Sequence, residues 1–152
     1  DRVPAQDMEM KHLRHTMKAN FEGAVNVWKA VQPHLAPQAN LVVVSSQLAT
    51  RGSPHGADYA ASKAALSTWA RSLALAVGPE GKRVNVLAPG YVDTDILAGD
   101  SDEKRNQRIQ EVPLKRIGTG DDMASIVSFL LSSDAAYITG SVLHANGGLY
   151  LP

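Results

Sequence analysis

The sequence predicts an α/β fold, a parallel sheet flanked by helices. Helical and strand-like segments alternate along the 152 residues in the order helix, strand, helix, strand, helix, strand. Such alternation implies a parallel sheet with right-handed crossovers. The first strand-like segment is also a continuous apolar run without alternation, which suits a strand covered on both faces. The length suits one domain and is enough to bury a real core.

Each element has its own signal. In Met8 to Val31, Leu13, Met17, Phe21, Ala24, Val25 and Trp28 recur at intervals of three and four, a helical stripe. Pro33 and Pro37 end it. Leu41 to Val44 is a β-branched strand running into Ser45 and Ser46, then a loop holding Gly52, Pro54 and Gly56. Asp58 is placed to cap a helix that continues to Val77 and is rich in alanine, small enough for another backbone to approach closely. Gly78, Pro79 and Gly81 break it. Arg83 to Ala88 reads as a second strand, stopped by Pro89 and Gly90. Thr94 to Pro113 is polar, with a short helix over Glu103 to Ile109. Gly118 to Asp122 holds turn and capping residues, and a helix follows through Leu131. Ser141 to Ala145 forms the third strand, closed by Asn146, Gly147 and Gly148.

Composition removes several classes of function. Fifteen basic residues balance fifteen acidic ones, so the footprint of a nucleic-acid-binding protein is missing. The absence of cysteine excludes a disulfide scaffold, a thiolate zinc site and a cysteine nucleophile. No apolar run reaches the roughly 18–20 residues that a membrane span needs, so no membrane partner is expected. No targeting segment is visible, and a cytoplasmic protein is the expectation.

Two strands end in residues with chemical potential. In open α/β sheets the ligand crevice lies outside the carboxyl ends of the strands. Ser46 and the segment after Pro89 and Gly90 fall on that edge. Tyr59 and Lys63 stand at i and i+4 on the following helix, so they are neighbours on one face. A lone pair of this kind is common on solvated helix faces. Here it follows a strand-end serine and precedes a strand ending in Pro-Gly, a far more specific combination.

With Ser46, Tyr59-x-x-x-Lys63 and Pro89-Gly90-x-x-x-Thr94 in place, the sequence resembles the short-chain dehydrogenase/reductase family over nearly its whole length. Asn20, in Lys18 to Gly23, matches the family's catalytic asparagine. The tail from Tyr137-Ile138-Thr139-Gly140 to Asn146-Gly147-Gly148 matches its last helix-to-strand region. The likeness is greatest to β-ketoacyl-acyl-carrier-protein reductases. It implies a Rossmann-like sheet and an oxidoreductase that transfers a hydride between NAD or NADP and a small-molecule carbonyl or secondary alcohol. No glycine-rich turn of the kind that seats a pyrophosphate on a helix N-terminus occurs; after Gly118 and Gly120, Met123 stands where a third glycine is needed. Residues 1–152 therefore look like the C-terminal portion of one such domain, the second half of a doubly wound sheet. A non-catalytic remnant or interaction module is the alternative, and among enzymes a sugar or polyol dehydrogenase.

The resemblance also implies roles. Tyr59 would be the general acid/base, its phenolate favoured by the nearby Lys63 ammonium. Lys63 would also bind the nicotinamide ribose. Ser46 would donate to the substrate oxygen as charge develops there. Asn20 would hold a water in a proton relay from Lys63. Thr94 and the Val92 backbone, after Pro89 and Gly90, would contact the nicotinamide carboxamide. Each has a plainer reading: Ser46 as a turn cap, Asn20 as a surface residue, Thr94 as a helix cap. His12 and His15 could bind a metal, but a solvated face is the better reading beside Lys11 and Arg14. Lys104, Arg105 and Arg108 are diluted by acidic neighbours and suit a solvated, mobile helix. Asp95 to Pro113, polar and with few apolar anchors, is expected to form a mobile lid. A homodimer or homotetramer is expected, built on the helices Met8 to Val31 and Asp58 to Val77, with Trp69 a candidate contact and the apolar Leu149 to Pro152 supporting a further one.

Overall fold

Three parallel strands organise the computed structural model of the chain, which describes residues 3–152. They are β1 (Asn40–Val44), β2 (Arg83–Pro89) and β3 (Val142–Ala145), in the order β1-β2-β3. Leu41 pairs with Val84 and Val43 with Val86, while Val86 pairs with Val142. Among the described residues six α-helices surround them: α1 (Met10–Met17), α2 (Gly23–Val31), α3 (Leu48–Arg51), α4 (Ala57–Val77), α5 (Asp102–Glu111) and α6 (Gly120–Leu131), with a π turn (Lys18–Glu22) joining α1 to α2.

One face of the sheet is the main core. Val84 and Val86 of β2 pack there with Trp28 of α2 and with Ala70, Leu73, Ala74 and Val77 of α4. Ala70 has no exposed surface, and the small side chains along α4 let it lie close on β2. The opposite face carries Arg83 and Asn85, which are held by the end of α6 and the segment after it. Arg83 Nη1 donates to the carbonyls of Leu130 (2.9 Å) and Ile138 (3.2 Å), and Nη2 to that of Ser132 (2.9 Å). A cation at a helix C-terminus complements the helix dipole. Asn85 Nδ2 donates to the Ile138 carbonyl (2.8 Å), and its Oδ1 accepts from Ser141 N–H (3.1 Å).

The structure corrects several expectations. The helix expected over Met8 to Val31 begins at Met10 and is interrupted by the π turn, where Gly23 N–H bonds to the Lys18 carbonyl. Asp58 does not cap α4; Gly56 occupies that position, and Asp58 sits in the first turn, accepting from Thr16 Oγ1 (2.5 Å). The Thr16 hydroxyl holds the Asp58 carboxyl below its ordinary range. A helical turn, α3, forms inside the expected loop after Ser46. The crossovers are not both right-handed. The strands run β1-β2-β3 in one direction, yet α4 covers one face and α6 the other, so the two connections have opposite hands. β1, the strand expected to be covered on both faces, is not: Val44 is 50% exposed, and it is β2 that is buried on both faces.

The turn after β3 closes against the end of β2. A Cβ placed on Gly90 would meet Asn146 Cβ at 2.7 Å and Cα at 2.8 Å, and one on Gly147, at φ 63°, would meet Val112 Cγ1 at 2.6 Å. Gly90→Ala should therefore lower the urea midpoint by an amount equivalent to about 3 kcal/mol, the upper end of overpacking costs. Gly120→Ala, where nothing lies within 4 Å, should change stability by no more than about 0.5 kcal/mol. Equal midpoints for the two variants would show that the Gly90–Asn146 contact is not tight.

Candidate active site

β1 ends at Val44 and the chain continues along β2 into buried Ser45 and Ser46, Ser45 N–H bonding the Leu87 carbonyl at 2.7 Å. Hydroxyls tie this strand end to α4. Ser45 Oγ lies 3.0 Å and Ser67 Oγ 2.8 Å from the Lys63 carbonyl, and the two hydroxyls are 2.7 Å apart. Two protons serve these three contacts, so the hydroxyls share one acceptor and each other. Lys63 reaches back over the same seam, its Nζ donating to the Val44 carbonyl at 3.0 Å. Its ammonium is 5.7 Å from the centroid of the Tyr59 ring, which confirms the i, i+4 juxtaposition. Burial pushes the Lys63 pKa below its ordinary value, because desolvation disfavours the charged form.

A second tie lies beneath Tyr59. Ser62, which has no exposed surface, donates to the Tyr59 carbonyl (2.8 Å) and accepts from Asn20 Nδ2 (3.0 Å). Asn20 thus stands in the π turn with its carboxamide Nδ2 tied to α4. π turns are single-turn bulges found disproportionately at functional positions. Asn20, Tyr59 and Lys63 are brought together around Ser62, and Ser46 is one residue beyond Ser45. Ser46 Oγ accepts from Leu48 N–H (3.2 Å), so it does support a turn, but its own proton remains available to a substrate oxygen.

Past Pro89 and Gly90, Val92 faces Gly118 in a parallel bridge. Gly118 bonds to the Tyr91 carbonyl (3.0 Å) and to Asp93 N–H (2.9 Å), which leaves the N–H and carbonyl of Val92 pointing the other way. Thr94 is exposed, its Oγ1 3.4 Å from the Val92 carbonyl. A backbone N–H and a carbonyl side by side, the latter met within the chain by the Thr94 hydroxyl, match the donor and acceptor of a carboxamide.

The segment 95–113 is better anchored than its composition suggests. Leu97 and Val112 are buried, and α5 is strapped by charge. Asp100 bonds Arg108 Nε at 2.5 Å and Lys104 Nζ at 2.9 Å, while Asp93 holds Arg105 Nη2 at 2.8 Å. The three basic residues of this helix are therefore paired within the chain. Tyr91 OH donates to Glu111 (2.9 Å), and the Arg108 guanidinium lies 4.6 Å above the Tyr91 ring. His12 caps α1, its Nδ1 accepting Glu9 N–H at 3.3 Å. Trp69 meets Phe21 edge-on at 6.5 Å and packs on the core, so its side chain links α4 to the π turn within the chain.

Sequence reading missed Ser45, Ser62, Ser67 and Thr16. Serines on an alanine-rich helix carry no signal of their own, and the partners that tie these groups to other elements lie 18 to 42 residues away. A separate cavity of about 520 Å³ opens beyond β3, lined by Tyr91, Leu114, Met123, His144, Tyr150 and Leu151 among others. None of the candidate catalytic residues lines it.

A family model described as enoyl-(acyl carrier protein) reductase matches residues 2–150. The chain belongs to the short-chain dehydrogenase/reductase family. This short-chain dehydrogenase/reductase chain is 37% identical over 146 residues to the 3-oxoacyl-acyl-carrier-protein reductase FabG of Escherichia coli (strain K12), covering 95% of this chain and 60% of that protein. It is 39% identical over 144 residues to the FabG of Chlamydia muridarum, covering 93% and 58%. Among solved structures, a short-chain dehydrogenase/reductase of glucose/ribitol dehydrogenase type from Brucella melitensis superposes with a TM-score of 0.93 at 29% identity, covering 100% of this chain and 62% of that one. A gluconate 5-dehydrogenase from Burkholderia cenocepacia, in complex with NADP and tartrate, gives 0.91 at 26% identity, covering 98% and 60%. The chain thus spans less than two thirds of the length of these relatives. Their shared fold shows the three strands to be part of a Rossmann-type sheet.

Arg108, and after it Lys104, hold the Asp100 carboxyl down from 3.8 to about 2. A depressed carboxyl contributes stability above its unfolded value and loses it as pH falls through the folded one. The difference in melting temperature between wild type and Asp100→Asn should therefore be full above pH 3.8 and shrink as pH falls toward about 2. Thermal unfolding across that window checks this, and a constant difference would show that the pair contributes nothing.

Proposed function

We propose that this chain carries the proton-handling half of an oxidoreductase that moves a hydride between NAD or NADP and a small-molecule carbonyl or secondary alcohol. The observation that carries the reading is the seam of β1 and α4, which ties Lys63, with Tyr59 beside it, to the strand end that leads into Ser46 at the carboxyl edge of a parallel sheet. The N–H and carbonyl of Val92, which point away from Gly118, with Thr94 beside them, fit a nicotinamide carboxamide, and Lys63 keeps donors for a ribose hydroxyl after bonding Val44. Related structures described as complexes with NADP, NADPH and NAD support this fit. A reduced nicotinamide bound there supplies the hydride.

The residues of this chain manage the oxygen. Ser46 donates to the carbonyl oxygen and stabilises charge as it builds. The Tyr59 hydroxyl transfers its proton to that oxygen as the carbon accepts hydride, giving the alcohol. The Lys63 ammonium favours the phenolate left behind. Asn20, tied to α4 through its Nδ2, holds a water that relays the replacement proton from solvent to Lys63. The segment 95–113, which follows directly on Pro89 to Thr94, closes over the substrate and excludes water from the step.

Assembly into a homodimer or homotetramer accompanies this reading. Val27 of α2 and Leu75 of α4 are 63% and 82% exposed, and the tail residues Tyr150 and Leu151 line the cavity beyond β3. An isologous contact would cover such outer positions. Light scattering of the full-length protein should show a dimer or tetramer, shifted toward monomer by Leu75→Glu; a wild-type monomer with full activity would end the assembly proposal.

Turnover of a ketone panel with both cofactors tests the chemistry. Tyr59→Phe in the full-length protein should lower kcat by about 10²–10⁴-fold, the range of general acid–base catalysis. Lys63→Arg should not rescue function, because a planar fork places its donors differently from an ammonium. Undiminished turnover in Tyr59→Phe would remove the tyrosine from the mechanism.

A further inference from the structure

Three side chains of α5 reach the backbone segment that fits a nicotinamide carboxamide. Arg105 Nη1 donates to Asp93 Oδ1 at 3.1 Å, and its Nη2 lies 2.8 Å from Asp93 Oδ2, a fork on one carboxylate. The Arg108 guanidinium covers the Tyr91 ring, and Glu111 accepts the Tyr91 hydroxyl. Residues 105, 108 and 111 recur every three positions, so they form a stripe on one face of the helix. Tyr91 and Asp93 flank Val92, which is held in its bridge to Gly118, and alternate residues of an extended chain share one side. One face of α5 is thus laid along the side chains on either side of Val92.

These polar ties matter because packing does not hold the helix. No residue of α5 is buried, and an element with little buried apolar surface opens at low cost. The pairs that Lys104 and Arg108 make with Asp100 lie within the segment 95–113 and do not reach Tyr91 or Asp93. Asp93 is fixed twice, by its N–H on the Gly118 carbonyl at 2.9 Å and by Arg105 on its carboxylate. It is also the residue between Val92 and Thr94. Resting on the oxidoreductase reading, we infer that Arg105 is a positioning residue for the cofactor. Its fork on Asp93 joins the Val92–Thr94 backbone to α5, so a bound nicotinamide holds α5 down and a docked α5 tightens the nicotinamide. A coupling of this kind has the same size in both directions.

The test measures binding to the full-length protein of two probes that differ only beyond the second ribose. One is NADH or NADPH, whichever wild type binds more tightly; the other is ADP-ribose with the same 2′ substituent, which lacks the nicotinamide. Arg105→Gln should weaken the reduced cofactor about three- to fivefold, the upper range for an exposed ion pair, and leave ADP-ribose unchanged. Loss of a positive charge acting at long range, or partial misfolding, would weaken both probes alike. Arg105→Lys, which keeps the charge on Asp93, should recover part of the loss. Equal affinity of wild type and Arg105→Gln for the reduced cofactor, or equal weakening of both probes, overturns the inference and leaves the oxidoreductase reading intact. Should Arg105→Gln fail to fold, hydrogen exchange of wild type decides. The reduced cofactor should slow exchange of the α5 amides and ADP-ribose should not; equal protection by the two overturns the inference. A wild type that binds neither probe, and turns over no ketone, overturns the oxidoreductase reading and this inference with it.

Discussion

The seam between the end of β1 and the first turns of α4 is the constraint on which the rest of the structure depends. Ser45 and Ser67 converge on the Lys63 carbonyl, and Lys63 Nζ returns to the Val44 carbonyl. A main-chain carbonyl that accepts side-chain hydroxyls from a strand and from its own helix cannot rotate or slide without losing both. Buried and mutually paired, such a network rigidifies the elements it joins. Tyr59, one turn before Lys63, inherits its position from this lock and from Ser62 beneath it. The geometry of the candidate active site is thus set by groups that touch neither substrate nor cofactor.

The second constraint lies in β2. It is the central strand, and its Val84 and Val86 form the floor of the main core while Arg83 and Asn85 face the other way. An asparagine with 1% exposure is costly unless paired. Here it is paired to the Ile138 carbonyl and the Ser141 N–H, and Val84 N–H finds Thr139 Oγ1 at 3.1 Å. The run Tyr137-Ile138-Thr139-Gly140, a family signature by sequence, therefore has a structural purpose. Ile138, Thr139 and Gly140 satisfy the start of β2 and deliver the chain into β3. Tyr137 is fully exposed and takes no part in that pairing.

The close approach of Gly90 and Asn146 joins the site to the far side of the sheet. Asn146 accepts Gly148 N–H on Oδ1 (3.0 Å) and donates from Nδ2 to the Tyr150 carbonyl (2.6 Å), so the turn after β3 is pinned as it passes the end of β2. Val112 and Pro113, at the end of the polar segment, pack on Gly147 and Gly148. The segment that follows Thr94 is thus moored at its exit by the same turn that bounds Gly90, and a movement there is felt along the Pro89 to Thr94 backbone.

Periodicity and breakers alone determined the three strands, the alternation with helices and the edge on which Ser46 and Pro89-Gly90 fall, because these depend on neighbours in the chain. The pairing of Tyr59 with Lys63 was legible for the same reason, one turn of helix apart. Tertiary structure alone decided the π turn at Asn20, the capture of its carboxamide by Ser62, and the pairing of Asp58 with Thr16 across 42 residues. It also placed α6 on the face opposite α4 and tied the basic residues of α5 to Asp93 and Asp100. Hydroxyls and amides have no period and choose partners by distance in space, so a chain read one residue at a time names the groups that can react but not the ones that hold them still.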